Sequence, residues 1–355
     1  MKKINNVYPE IISKENLYRS AHLAARGRRY GDAVADFNFN LEEEMGALHR
    51  ELADKTYCHG KYRMFTIYDP KKRNIAAAPF RDRVVHHAVH DVIEPFIDKT
   101  FIHDSYACRK GKGTHIAVDR TQSFLRANRF CLHGDVKKYF PSIDHRVLKE
   151  MLAKRTTDKD LLWLANGIID SASQVMESSV PRDGGGKGLP IGSLTSQFFA
   201  NLYLNELDYF LKFDMRCRYY LRYMDDFLVF GNDQEELYEA KIKIRYFLKN
   251  KLQLDLHEGK SQVYKTRNGI KFLGFRIYEN HRRLASDNVK RFKKRLKRFA
   301  YDDENGRIDA GKICDSVRCW AAHSRYADTG GLRHRICNGF ADNRLGTLLE
   351  NVLLH

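Results

Sequence analysis

The sequence predicts an α+β fold with helices and β-hairpins, and three observations predict it. Two apolar runs with strand character, Phe130–Asp135 and Leu221–Gly231, each carry aspartate where a strand ends or turns. Apolar residues recur at helical spacing through residues 196–213 and again from His281 to Phe299. Residues 64–68 and 74–78 are strand-like and are separated by turn residues, which predicts a β-hairpin.

Composition excludes several classes of protein. The chain has 355 residues, of which 43% are hydrophobic, too many for a disordered chain. No apolar stretch is long enough to span a bilayer, and no apolar segment follows Lys2 and Lys3, so we expect neither an integral membrane protein nor a signal peptide. The seven cysteines are scattered, which favours a reducing compartment, and we expect a cytoplasmic location in a bacterium, an archaeon or a phage-infected cell.

The charge of the chain predicts a polyanionic partner. Lys and Arg number 62 against 45 Asp and Glu, a net charge of +17, and such proteins most often bind nucleic acid. Nine of the basic residues and one acid lie between His281 and Phe299, where we expect an amphipathic helix capped by Ser286 or Asp287. On charge alone, a ribosomal or chromatin protein without chemistry remains an alternative.

A second basic cluster spans Lys61 to Arg83 and includes the predicted hairpin. Its tip would carry Lys71, Lys72 and Arg73, an arrangement that suits the binding of phosphate groups.

Three aspartates indicate what chemistry the protein could perform. Asp225 and Asp226 interrupt an apolar run, which is costly for a strand and suits the turn of a hairpin. An ordinary Asp-rich turn is the alternative. Asp135 ends another apolar strand, and if the two strands are neighbours the three carboxylates converge. Such a site suits Mg²⁺, and two ions about 4 Å apart form the clamp used in phosphoryl transfer.

These residues carry a family resemblance. Tyr223–Asp226 resembles the YxDD motif of reverse transcriptases, and Asp135–Phe140 resembles their first palm motif, D-x-x-x-x-F. Further matches follow in the family's order from about Arg63 to Tyr278: the basic finger motif at Ser105–His115, the next palm motif at Gln253–Leu256 with Lys260, and the primer-grip hairpin at Gly269–Phe275. Together these motifs are far more specific than any one of them.

The resemblance implies a right-hand polymerase with fingers, a palm built on an antiparallel sheet, and a small helical thumb. The expected boundaries are 1–130 for the fingers, 131–283 for the palm with a helical finger insertion at about 146–188, and 284–355 for the thumb. The implied activity is RNA-directed DNA synthesis with two Mg²⁺ ions, for which Mn²⁺ can substitute, and dNTP substrates. A non-catalytic RNA-binding protein on a retained polymerase scaffold is the alternative.

The resemblance also implies a role for each candidate residue. Metal ligands are Asp135, Asp225 and Asp226, with the carbonyl of Val136 as a further ligand. Lys260 matches the palm lysine that protonates pyrophosphate, and Phe140 occupies the position of the steric gate against ribose. The remaining assignments are Lys71 and Arg73 to the triphosphate, Arg109, Lys110 and Lys112 to the template, Phe272, Leu273 and Gly274 to the primer, and Lys290, Lys294 and Lys297 to the duplex backbone.

One segment indicates which kind of reverse transcriptase the chain resembles. Leu189–Gln197 resembles the palm motif that most reverse transcriptases write with a Gln-Gly pair and a later Ser-Pro, but Ile191 replaces the glutamine and Gln197 replaces the proline. This variant resembles the enzymes of diversity-generating retroelements, which copy a template-repeat RNA into cDNA that replaces part of a variable gene. Those enzymes misincorporate opposite template adenines and work with a small basic accessory protein that forms an oligomer. Both Ile191 and Gln197 then belong to the nucleotide-binding site, unless Ile191 simply packs in the core.

Other reverse transcriptases remain as alternatives: a retron enzyme, a small group II-like enzyme and an antiphage polymerase.

Overall fold

The computed structural model describes residues 3–27, 31–68, 72–174, 186–340 and 344–354. Its Cα packing divides the chain into two compact units. The first unit contains Met1–Gly111, Gly134–Phe227 and Glu239–Ser261, and the second contains Lys112–His133, Leu228–Tyr238 and Gln262–His355. The fold is the predicted α+β class, whereas the expected division into fingers, palm and thumb stays a prediction.

Helices provide most of the described structure. They are α1 (Tyr8–Ile12), α2 (Lys14–Ala24), α3 (Asp32–Phe39), α4 (Leu41–Ala53), α5 (Phe80–Asp98), α6 (Thr114–Ala127), α7 (Tyr139–Ser142), α8 (His145–Arg155), α9 (Lys159–Ser171), α10 (Leu194–Tyr209), α11 (Gln234–Leu252), α12 (Ser286–Glu304), α13 (Ala310–Ser324), α14 (Gly330–Asn338) and α15 (Arg344–Leu353). A π-helical turn, Phe210–Asp214, extends α10, so the predicted helix over 196–213 is confirmed. Among the described residues, no helix is both long and apolar enough to cross a membrane.

The strands are β1 (Arg63–Ile67), β2 (Arg73–Ala77), β3 (Phe130–Asp135), β4 (Tyr220–Tyr223), β5 (Asp226–Gly231), β6 (Gln262–Lys265), β7 (Ile270–Phe272), β8 (Phe275–Ile277) and β9 (Arg282–Leu284). β4, β5, β3 and β6 form one sheet in that order, and β3 runs antiparallel to β6 with Phe130 opposite Lys265. β7, β8 and β9 form a separate antiparallel sheet.

The basic hairpin predicted in the first unit is present. β1 pairs with β2 in antiparallel register from Arg63 opposite Ala77 to Ile67 opposite Arg73. Ala76 is buried, whereas Arg73 is exposed at the end of β2 that adjoins the tip. The expected tip residue Lys71 lies outside the described residues.

The basic helix predicted in the second unit is α12. Phe292 and Leu296 are buried, and Phe292 stacks on Trp320 of α13 with ring centroids 3.8 Å apart. Lys290, Lys294 and Lys297 are exposed, as amphipathic spacing predicts. The expected cap was wrong: the residue at the N-cap is Ala285, which lacks a capping side chain, and the Asp287 carboxylate instead binds Lys271.

Gly134 determines how the end of β3 packs in the first unit. A Cβ atom placed on Gly134 would lie 2.1 Å from the ring of Phe227, which is fully buried. Rotation of the Phe227 ring about its Cβ–Cγ bond does not relieve that overlap, because the nearest ring atom, Cζ, lies on the rotation axis. The absence of a side chain at Gly134 therefore lets the Phe227 ring lie against the backbone just before Asp135.

We expect Gly134→Ala to lower the free energy of unfolding by about 1 to 3 kcal/mol, because the added methyl group overpacks a filled core. Urea denaturation measures the change. Gly167 lies inside α9 with nothing within 4 Å of an added Cβ atom, so Gly167→Ala is the matched control. That variant should be neutral or more stable by up to about 1 kcal/mol. Equal stability of Gly134→Ala and wild type would contradict the packing argument.

Candidate active site

The candidate site lies in the first unit, at the turn between β4 and β5. Met224 and Asp225 form this turn, and Asp226 begins β5. The backbone N–H of Val136 donates to the Asp225 carbonyl at 3.3 Å, which brings the end of β3 against the turn. The expectation that Asp135 and the Asp225–Asp226 pair end neighbouring strands is therefore confirmed.

Hydrogen bonds hold both the backbone N–H and the backbone carbonyl of Asp135. Its N–H donates to the Ser261 hydroxyl at 3.2 Å, and its carbonyl accepts from the N–H of His257 at 2.8 Å. Val136 forms an isolated antiparallel bridge with Leu256. The segment before Lys260, which resembles a palm motif, thus aligns along the strand end that carries Asp135.

The carboxylates at this turn lie close enough to affect one another's ionisation. Burial, then the neighbouring charges of Asp226 and Asp135, raise the pKa of Asp225 from 3.8 to about 6. A carboxyl group in this position binds its proton more tightly than one in water, because ionisation adds negative charge to a poorly hydrated place. A cation near Asp225 would lower that cost.

One positively charged side chain, that of Lys260, lies at this site. The Lys260 ammonium donates to both oxygens of the Asp135 carboxylate, at 2.8 and 2.9 Å. Half of the Lys260 side chain is exposed, so it has room to move away from Asp135. Among the described residues, no three His, Cys, Asp or Glu side chains are placed to hold a metal ion. The donor chemistry nevertheless suits Mg²⁺, which prefers one or two carboxylates together with substrate phosphates.

The residues expected to bind the nucleotide are joined by backbone hydrogen bonds. The N–H of Leu189 donates to the Phe140 carbonyl at 2.9 Å, and the N–H of Ala76 on β2 donates to the Ile191 carbonyl at 3.1 Å. The structure thereby links the position of the expected steric gate, the Ile191 segment and the strand that carries Arg73. Phe140 and Ile191 are both partly exposed rather than packed in the core.

Gln197 contacts the loop expected to bind the template. Its side-chain carbonyl accepts from the thiol of Cys108 at 3.3 Å. Cys108 has a positive φ of 52°, an uncommon conformation for a residue other than glycine. The proline that stands at position 197 in most of the family could not make this contact.

The structure gives Arg109 a different role from the expected template contact. All five N–H donors of its guanidinium bind the chain itself: two go to the Asp98 carboxylate, and three go to the carbonyls of Asp98, Ile102 and Ser105. Arg109 therefore holds its own loop in place. Lys110 differs, because its ammonium reaches Glu94 at 3.0 Å while 80% of its side chain stays exposed.

The expected primer-grip residues form a tight hairpin in the second unit. Leu273 and Gly274 connect β7 to β8 with φ values of 49° and 87°, the positive pair that two-residue hairpins favour. An added Cβ atom on Gly274 would lie 3.1 Å from Nε2 of His323, a buried atom. Phe275 also packs on His323, with ring centroids 4.4 Å apart. Helix α13 therefore supports this hairpin.

Sequence reasoning missed one residue that contacts the turn between β4 and β5. Arg222 on β4 is fully buried and forms an ion pair with Asp208 of α10 at 2.6 Å, where both side chains are inaccessible to solvent. The signal was an arginine inside the apolar strand before Tyr223, since buried arginine requires an acid partner.

The pKa of Asp225 predicts how stability depends on pH in metal-free buffer. The folded-state pKa of Asp225 lies above its unfolded value, so the contribution of this group to stability is most favourable below about pH 4 and is lost as pH rises through about 6. Asp225→Asn removes this cost. We expect the variant to be more stable than wild type by about 2 to 3 kcal/mol at about pH 8, and equal to it near pH 4.

Chemical denaturation with EDTA at both pH values measures this difference. Asp214→Asn supplies the control, because it makes the same chemical change at an exposed carboxylate away from the turn. A stability gain for Asp225→Asn that did not vary with pH would show that carboxylate ionisation is not its cause.

Comparisons with known proteins identify the family of the chain. The family described as "Reverse transcriptase (RNA-dependent DNA polymerase)" matches residues 61–277, more than half of the chain. The group II intron-encoded protein LtrA of Lactococcus lactis subsp. cremoris is 23% identical over 357 residues, which cover 81% of this chain and 57% of LtrA. The protein YkfC of Escherichia coli (strain K12) is 25% identical over 269 residues, or 63% of this chain and 68% of YkfC.

The chain spans a little over half the length of LtrA. Among solved structures, apo telomerase from Candida Tropicalis superposes with a TM-score of 0.48 and 15% identity, over 66% of this chain and 53% of the telomerase chain. The family match spans the Asp135 strand, the Asp225–Asp226 turn and Lys260. The chain belongs to the reverse transcriptase family.

Proposed function

We propose that this protein synthesises DNA on an RNA template, with divalent cations held by Asp135, Asp225 and Asp226. The observation that supports this most is the backbone contact between Val136 and Asp225, which joins the two strand ends that carry the carboxylates. The raised pKa of Asp225 supports it too, because carboxylates crowded at this cost are typical of functional sites.

The residues have distinct roles in this proposal. Asp135, Asp225 and Asp226 would hold the divalent cations, which would supply Lewis acidity for the primer 3′-hydroxyl and charge neutralisation for the triphosphate. Lys260, which binds the Asp135 carboxylate in this structure, would release it when Asp135 holds a cation, and its ammonium would then donate a proton to pyrophosphate. Phe140 excludes a ribose 2′-hydroxyl, and the exposed Arg73 binds the triphosphate. The Val136 carbonyl is a further candidate ligand.

Nucleic acid occupies the basic surfaces in this proposal. Lys110 and Lys112 contact template phosphates, and the hairpin turn at Leu273 and Gly274 holds the primer. The exposed face of α12, with Lys290, Lys294 and Lys297, binds the duplex backbone, where such contacts fix position without reading sequence.

We further propose that the enzyme serves a diversity-generating retroelement and works with a small basic accessory protein. The two departures from the usual palm motif, at Ile191 and Gln197, support this choice. Ile191 is partly exposed and tied by its carbonyl to the strand of Arg73, so its side chain can affect nucleotide selection. An aliphatic side chain in place of an amide donor weakens the discrimination that hydrogen bonds provide.

A group II-like role is the second candidate, and the likeness to LtrA favours it. Neighbouring DNA separates the two: a template and variable repeat pair favours the retroelement, and a flanking intron favours the group II-like role. Splicing of such an intron RNA by the protein would support the second candidate over the first.

Primer extension on an RNA template tests the activity. We expect wild type to extend a DNA primer with dNTPs and Mg²⁺ or Mn²⁺. Asp225→Ala should reduce extension by at least about 10³-fold, because the carboxylates act as a unit. The exposed Asp214→Ala serves as the control and should extend normally. Equal extension by Asp225→Ala and wild type would refute the metal assignment.

Sequencing of the cDNA tests the retroelement assignment. We expect misincorporation concentrated opposite template adenines, and a decrease of about tenfold in Ile191→Gln, because the restored amide adds a selective hydrogen bond. Ile242, exposed on α11, provides the same chemical change away from the site, and Ile242→Gln should keep the error pattern of wild type. Uniform fidelity at adenines in the wild-type product would count against this assignment.

A further inference from the structure

A single buried guanidinium joins α10 to the catalytic turn. Arg222 is inaccessible to solvent and binds Asp208 with two nitrogens: Nε donates to Oδ1 at 2.7 Å and Nη2 donates to Oδ2 at 2.6 Å. The Tyr220 hydroxyl donates to the same carboxylate at 2.6 Å. This pairing fixes the plane of the guanidinium and therefore the direction in which Nη1 points.

Nη1 points at the turn. It donates to the backbone carbonyl of Met224 at 3.0 Å and to Oδ1 of Asn201 at 3.2 Å. Met224 has a φ of 56°, in the left-handed region that residues other than glycine rarely adopt. Such a conformation costs about 1 kcal/mol or more and persists where surrounding contacts impose it. The hydrogen bond from Arg222 is one of those contacts, and it acts on the residue just before Asp225.

The Arg222 backbone is held as firmly as its side chain. Its N–H donates to the Asp104 carbonyl at 2.9 Å, and its carbonyl accepts from the Tyr106 N–H at 2.9 Å. The Asn201 amide in turn donates to the Ala107 carbonyl at 2.7 Å. The guanidinium is therefore braced by the chain around residues 104–107 as well as by α10.

Stability alone is a poor explanation for this ion pair. Burying two charges costs several kcal/mol per ion, and apolar replacements of such pairs are often neutral or stabilising. What an apolar pair cannot supply is a directed donor for the Met224 carbonyl. Lysine cannot replace arginine here either, since it lacks the planar fork that binds a carboxylate and a third acceptor together.

We propose that Arg222 is a positioning residue for metal binding: with Asp208, it holds the Met224 carbonyl and thereby sets the direction of the Asp225 carboxylate. The proposal rests on the function proposed above. Hydrogen bonds behind metal ligands commonly contribute 10- to 100-fold to metal affinity, although the groups that make them never touch the ion.

The test measures Mn²⁺ binding by electron paramagnetic resonance of the free ion, without nucleic acid or turnover. We expect Arg222→Lys to weaken the Asp225-dependent Mn²⁺ site by about 10- to 100-fold. In primer extension the same variant should lower kcat with little change in the KM for dNTP. Arg155→Lys is the matched control, because Arg155 is also largely buried and pairs with Glu206 of α10 at 3.5 Å. That variant should bind Mn²⁺ like wild type.

A double variant keeps the test valid if Arg222→Lys does not fold. Arg222→Met with Asp208→Leu removes both buried charges at once, so no unpaired ion remains, while the Met224 carbonyl still loses its donor. We expect this protein to fold and to bind Mn²⁺ about 10- to 100-fold more weakly than wild type. Wild-type Mn²⁺ affinity in either variant would overturn the positioning role.

If the proposed function itself is wrong, the Mn²⁺ binding measurements give a different result. If wild type binds Mn²⁺ no better than Asp225→Ala, the metal assignment itself fails, and the positioning role fails with it. If wild type binds better than Asp225→Ala while Arg222→Lys equals wild type, the metal assignment stands and only the role of Arg222 is refuted.

Discussion

The arrangement of this site depends on bringing like charges together at one turn. Asp225 sits between the charges of Asp226 and Asp135, and burial adds to their effect on its pKa. Such crowding of carboxylates persists only where other contacts hold these residues in place. Here the backbone does so, through Val136 on the Asp225 carbonyl and through Ser261 and His257 on Asp135. Main-chain hydrogen bonds add no net charge, so they position the carboxylates without neutralising them. The negative charge is instead balanced by the half-exposed Lys260 in this structure, or by a cation in the proposed reaction.

Local features of the site could be predicted from the sequence because they depend on neighbours along the chain. An Asp pair in an apolar run indicates a hairpin turn, and the structure has β4 and β5 on either side of it. Partner choice could not be predicted, because it depends on distant segments. Arg109 and Lys110 are adjacent, yet the first is saturated by Asp98 and three carbonyls while most of the second is exposed. Arg222 carried a signal, but its partner Asp208 lies on a helix that the sequence does not place beside β4.

Net charge therefore says less about binding than its distribution over the surface. Arg109 and Arg222 count toward the +17 but face inward and build the loop and the turn. The charges on α12 face outward, because Phe292 and Leu296 bury the opposite side of that helix. Amphipathic spacing is what distinguishes the two cases from sequence, since it assigns a side chain to a face. A basic residue within an apolar strand instead indicates a side chain that is buried and paired with an acid.

The Ile191 segment shows how one position can change its chemistry while the fold around it is preserved. The contacts that hold it, from Ala76 to the Ile191 carbonyl and from Leu189 to the Phe140 carbonyl, are made by main-chain atoms. They form equally well with glutamine or isoleucine at position 191. Gly192 has no such freedom, because its φ is 117° and an added Cβ atom would lie 2.9 Å from Ile75. The backbone therefore fixes where the side chain at 191 lies and leaves its identity open. Under the proposed function, a substitution there would alter nucleotide selection with little effect on folding.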